Sequence, residues 1–137
     1  MSNFDLRVDI GTDLIEIDRV EAAMRRHPKG FGKRVFTKAE NDYCAKRKNA
    51  FVHYAGRFAA KEAVLKALGT GLRGGICWTD VAIINDALGK PIVALSGKAL
   101  QIAKKKGMRQ LDISITHCKG MANAVAVLLR AIKPGKK

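Results

Sequence analysis

A chain of 137 residues has the size of one domain, and no segment repeats at a fixed period, which excludes a doubled or solenoid architecture. Apolar residues make up 47% and fall in regular patterns, which excludes a disordered chain, and the longest purely apolar run, Ala124 to Leu129, is far short of the roughly 20 residues of a membrane-spanning helix. The formal net charge of +14 calls for an anionic partner: nucleic acid, an acidic protein, a phosphorylated small molecule or an anionic membrane surface.

Residues 7–17 alternate as a strand, with Val8, Ile10, Thr12 and Leu14 on one face and Asp9, Gly11, Asp13 and Ile15 on the other. Asp18, followed three residues later by Glu21, predicts an N-cap and a helix to about Arg26, stopped by Pro28. Residues 28–32 read as a loop. Thr37 and Glu40 form a second capping-box pattern, opening a helix to about Lys48. A third helix covers about 51–68 and ends at Gly69, a residue free to adopt the left-handed turn that closes helices. Residues 78–84 and 91–95 read as the strands of a hairpin around a turn at 85–90. Ser96 predicts the cap of a short helix to Lys106, stopped by Gly107. Residues 109–116 alternate cleanly, and 122–129 are apolar on both faces, which predicts a central strand. Strand pairs beside segregated helices give an α+β domain with a mainly antiparallel sheet, assigned to residues 1–131. Residues 132–137 read as a basic tail.

The positive charge is uneven. Ten basic residues face three acids between Arg19 and Lys48, and Lys104, Lys105, Lys106 and Arg109 form a second cluster. The cysteines, Cys44, Cys77 and Cys118, are odd in number, lack metal-ligand spacing and suit a reducing compartment. With Asp5, Arg7 and Asp9 where an export signal would need an apolar core, the expected location is the cytoplasm.

The third helix carries most of the chemical information. It is apolar nearly all round, so it is expected to be buried, and charges on a buried helix must be paired or bind something. Glu62 and Lys66 form its one polar stripe; a plain i,i+4 ion pair accounts for them equally well at this point. Lys61 stands alone among apolar neighbours. Asp13, two residues after Gly11 near the end of the first strand, is the other odd residue: Gly11 lets another group approach the backbone closely, though a strand-end carboxylate capping a turn accounts for Asp13 equally well at this point. Asp13 and Glu62 together are a candidate Mg²⁺ pair, because magnesium commonly takes one or two protein carboxylates and leaves the rest of its octahedron to phosphates and water. Arg57, Lys61, Lys66, Lys90 and His117 are candidate phosphate contacts, and Gly69 with its neighbours can pass close to a ligand.

Two segments then become recognisable. Gly11-Thr12-Asp13-Leu14-Ile15-Glu16-Ile17 and Gly56-Arg57-Phe58-Ala59-Ala60-Lys61-Glu62-Ala63-Val64-Leu65-Lys66-Ala67 resemble the two signature motifs of the 4′-phosphopantetheinyl transferases. The length, Gly89-Lys90-Pro91 and Ser114-Ile115-Thr116-His117 look like the small bacterial branch, the holo-[acyl-carrier-protein] synthases, over about residues 8–129. The resemblance implies transfer of the phosphopantetheine arm of coenzyme A to a serine of an apo acyl carrier protein in fatty acid biosynthesis. It implies Asp13 and Glu62 as ligands of Mg²⁺, with Glu62 and Lys66 catalytic. Arg57, Lys61, Gly69, Lys90, Pro91 and His117 are implied on the coenzyme, and Arg19, Arg25 and Arg26 on the carrier protein. It also implies a homotrimer with sites between subunits. A nucleic-acid-binding module is disfavoured: aromatics are 6%, no stacking stripe appears, and a strand rather than a helix follows Gly71-Leu72-Arg73-Gly74.

Overall fold

The computed structural model describes residues 3–135. The chain runs β1 (Asp5–Glu16), α1 (Ile17–Arg26), α2 (Phe31–Val35), α3 (Lys38–Ala45), α4 (Ala50–Leu68), a 3₁₀ turn (Trp78–Asp80), β2 (Val81–Asn85), β3 (Pro91–Leu95), α5 (Gly97–Lys105), β4 (Met108–Cys118) and β5 (Met121–Ile132). Two antiparallel sheets result: a three-stranded sheet in the order β1-β5-β4, and the hairpin β2-β3. The α+β reading and the central place of the last strand both hold. No helix among the described residues is long and apolar enough to cross a membrane.

α4 is the spine. It lies on one face of the three-stranded sheet, and its alanines meet Ala124 and Ala126 of β5 in the main core. Small side chains on both partners bring helix and sheet close. The closest approach is at Gly11, where an added Cβ would sit 1.9 Å from the Ala63 carbonyl oxygen. Only glycine fits, and Asp13 two residues on is thereby brought beside α4. The other face of the sheet is different. Leu6, Val8, Ile10 and Leu14 of β1 and Val127 of β5 stand exposed, Ile10 at 66%. Register makes this one surface, since Val8 pairs with Leu129 and Ile10 with Val127.

Several ends differ from the sequence reading, for local reasons. α1 starts at Ile17 without a side-chain cap, because β1 turns straight into it and the Ile17 N–H donates to Gly120 O at 2.9 Å. Asp18 instead sits in the first turn, where its charge suits the helix dipole. The Thr37–Glu40 capping box forms on both sides, but α3 ends at Ala45 rather than Lys48. α2 occupies residues expected to begin as loop. Residues 78–80 coil instead of extending, closed by Asp80, which accepts from the Cys77 N–H at 3.2 Å. Asp80 also accepts from the Ala99 N–H, taking over the capping that Ser96 was expected to provide. Gly69 has φ +78 and closes α4 as expected. β5 continues to Ile132, and Lys136 and Lys137 of the basic tail lie outside the described residues.

Candidate active site

The Glu62–Lys66 stripe does not form the simple pair that its spacing allows. The Lys66 ammonium instead donates to Thr12 O at 2.9 Å and lies 3.3 Å from Asp13 Oδ1. Asn123, across the strand pair, donates to Asp13 O at 2.9 Å and holds this stretch of β1 in place. Glu62 enters no ion pair among the described residues. Burial pushes its carboxyl above the ordinary value, the charge of Asp13 adds to that, and Lys66 opposes it. Asp13, Glu62 and Lys66 line one cleft of about 420 Å³ with Arg19, Phe31 and Phe58. Two carboxylates lining one cleft, one of them without an ion-pair partner among the described residues, could serve as donors to a hard divalent cation. A lysine and an arginine at the rim suit phosphate oxygens.

Lys61, one residue from Glu62, has a different fate and corrects the expectation that it contacts a phosphate. It is fully buried and donates to Glu40 Oε1 at 2.8 Å, Val81 O at 2.5 Å and Trp78 O at 3.3 Å. Those three bonds use every N–H of the ammonium. Burial pushes its pKa down while the Glu40 charge pulls it up. Glu40 is equally saturated, accepting also from the Thr37 N–H at 2.8 Å and the Ile83 N–H at 2.9 Å. The pair joins α3, α4 and β2 inside the core.

A second group of basic residues lies around Arg57. Five positions from Glu62 on a helix, it points about 140° away from it. Arg57 is 4% exposed, and its Nη2 donates to Asn85 Oδ1 at the end of β2. Asn85 Nδ2 in turn donates to Gly89 O at 2.9 Å, tying this group to the turn that carries Lys90 and Pro91. His117 ends the group from β4 and is exposed. No described cavity is lined by both Glu62 and Arg57. The expected residues thus gather into two groups. Gly69 closes its helix and is linked to neither. On α1, Arg19 faces the cleft, Arg26 is exposed, and Arg25 is engaged by Glu21 at 2.9 Å and lies over Phe51.

The family model described as the 4′-phosphopantetheinyl transferase superfamily matches residues 9–120. The chain belongs to that superfamily. It is an enzyme, a phosphopantetheinyl transferase. The holo-[acyl-carrier-protein] synthase of Protochlamydia amoebophila is 50% identical over 122 residues, covering 89% of this chain and 98% of that one. That of Syntrophus aciditrophicus is 46% identical, covering 86% and 92%. Among solved structures, the synthase of Neisseria meningitidis superposes with a TM-score of 0.80 at 31% identity, covering 88% and 96%. The synthase of Helicobacter pylori in complex with coenzyme A superposes with a TM-score of 0.77 at 30% identity, covering 87% and 98%.

Asn85, Asn123, Tyr43, Arg47 and His53 contact members of these two groups and escaped the sequence reading. The one local signal that could have found any of them is the i,i+4 aromatic–arginine spacing of Tyr43 and Arg47, which begins on α3 and ends beyond it.

Proposed function

We propose that this enzyme transfers the 4′-phosphopantetheine group of coenzyme A to a serine of an apo acyl carrier protein, releasing 3′,5′-ADP. The observation that carries this reading is the meeting of Asp13, Glu62 and Lys66 in one cleft, on the two motifs of the family. Asp13 and Glu62 would hold Mg²⁺, which when bound neutralises charge on the pyrophosphate as the bond to the leaving group breaks. Lys66 supplies a mobile cation beside it, since its present acceptors are one carbonyl and one carboxylate at 54% side-chain exposure. Glu62, in the cleft and without an ion-pair partner among the described residues, is placed to take the serine proton. Arg57 and His117 take the 3′-phosphate, and Lys90 and Pro91 the adenosine side. Arg19 and Arg26 present a basic face to the acidic carrier protein, with Arg25 at its edge.

The assembly in this reading is a homotrimer with coenzyme A bound across subunits. Two features support it. The apolar β1–β5 face leaves large side chains in water, and a sibling subunit would cover them. No described cavity is lined by both groups within one chain, so a partner's group would complete each. The reading assigns the enzyme to the cytoplasm and to fatty acid biosynthesis.

The test is the intact mass of an apo acyl carrier protein incubated with the enzyme, coenzyme A and Mg²⁺. The expected result is a gain of one phosphopantetheinyl group that EDTA abolishes. A gain unaffected by EDTA would remove the metal, and no gain with any carrier protein would remove the reading.

A further inference from the structure

The cleft uses Asp13, Glu62 and Lys66, and the core uses Glu40 and Lys61, but one group of cations remains unmatched. Arg57 is nine-tenths buried or more, yet no carboxylate among the described residues pairs with it or with Arg47. Its Nη2 is taken by Asn85, and its Nε is buried with no partner. A buried guanidinium without a counter-ion is costly, so the site is built for an anion that arrives later. One ring organises it. The Arg57 guanidinium carbon lies 4.1 Å from the centroid of Tyr43, and that of Arg47 lies 3.7 Å from the same centroid. His53 packs edge-on against this ring at 5.8 Å and 80°. Burial first, and then Arg57, Arg47 and His117, push His53 toward its neutral form, so four basic groups share one neighbourhood, His53 and Arg57 from α4, Arg47 from the turn after α3 and His117 from β4. Both guanidinium groups lie against the Tyr43 ring. The negative face of the aromatic ring attracts both.

We propose that Tyr43 is a positioning residue for phosphate recognition: its ring holds Arg47 and Arg57 as a preformed pair that meets the 3′-phosphate of the coenzyme. This rests on the coenzyme A reading above. A phosphomonoester dianion is matched by two guanidinium groups, which offer paired N–H donors at fixed geometry. Assembled beforehand, they lose less freedom on binding than two independent arginines. Asn85 fixes Arg57 from the β2 side and Tyr43 from the α3 side, so the recognising group is clamped between elements that the core already joins.

The test is calorimetric binding of adenosine 3′,5′-bisphosphate and adenosine 5′-monophosphate to the full-length enzyme and its Tyr43 variants. Tyr43→Leu is expected to weaken the bisphosphate by roughly tenfold while barely changing the monophosphate, and Tyr43→Phe to stay near wild type. If Tyr43→Leu does not fold, Arg47→Gln at the exposed end of the same contact carries the test, with the same selective loss expected. Equal weakening of both nucleotides would make the role merely structural and overturn the proposal, as would a Tyr43→Phe variant that loses the bisphosphate. A folded wild-type enzyme that binds neither the bisphosphate nor coenzyme A would overturn the coenzyme reading, and the proposal with it.

Discussion

Helix α4 carries two lysine–carboxylate clusters that differ in one property, water. Lys61 meets Glu40 in the core, both side chains fully buried, with every donor of the ammonium used and three protein donors shared over the carboxylate. Lys66 meets Asp13 beside Glu62 in an open cleft, at 54% and 17% side-chain exposure, and Glu62 has no ion-pair partner among the described residues. The first cluster is complete as it stands and has no valence to offer a ligand. The second is incomplete, and its incompleteness is chemical capacity. One helix thus builds a structural pair and a reactive group from the same residue types, and burial with saturation separates them.

Exchanging charge for an amide at each cluster breaks the comparison most sharply. Glu62→Gln is expected to lower the transfer rate on the order of 10²–10³-fold, since charge complementarity at a phosphoryl centre is removed, as single-turnover assays would show. The same change is expected to raise the unfolding temperature at neutral pH. The folded chain holds the Glu62 proton more tightly than the unfolded chain, because burial and Asp13 push its carboxyl upward. Stability is therefore lost as pH rises from the ordinary carboxylate range through the raised value. The gain from Gln should shrink to nothing as pH falls toward about 4, which thermal melts across pH would follow. Glu40→Gln is expected to act in the opposite sense. It strands the Lys61 charge in the core and costs about 3–5 kcal/mol by denaturant titration, with transfer per folded molecule retained.

Gly11→Ala should disturb the two clusters unequally. The new methyl meets the Ala63 carbonyl at 1.9 Å and must push β1 from α4, costing ~1–3 kcal/mol and drawing Asp13 away from Glu62. Transfer is then expected to fall more than stability alone explains, while the Lys61–Glu40 pair stays intact. The smallest effect belongs to the rim. Arg19→Glu should raise the KM for carrier protein and leave that for coenzyme A nearly unchanged, with the difference fading as salt is added. Equal changes for both substrates would mean that α1 is not the docking face.

Features written in local spacing were legible in the sequence. The Thr37–Glu40 box, the closing Gly69, the apolar circumference of α4 and the tight approach at Gly11 all depend on residues within a few positions or on one residue's size. Lys61 was misread because what completes it, Glu40 and the carbonyls of Trp78 and Val81, lies 17 to 21 positions away on other elements. An isolated charge on an apolar helix announces that it needs a partner without naming one. The same limit hid Asn85, whose contact with Arg57 spans 28 positions. It also hid the outward orientation of Leu6, Val8, Ile10 and Leu14, since strand alternation gives two faces without saying which one meets the core.

The contrast between the clusters is tested most directly by intact-mass assays of carrier-protein modification with Glu62→Gln and Glu40→Gln side by side, at a temperature where both are folded by circular dichroism. The expected result is no detectable phosphopantetheinylation on the wild-type timescale with Glu62→Gln and a near wild-type rate per folded molecule with Glu40→Gln. A Glu62→Gln enzyme that modifies the carrier protein as fast as wild type would contradict the account.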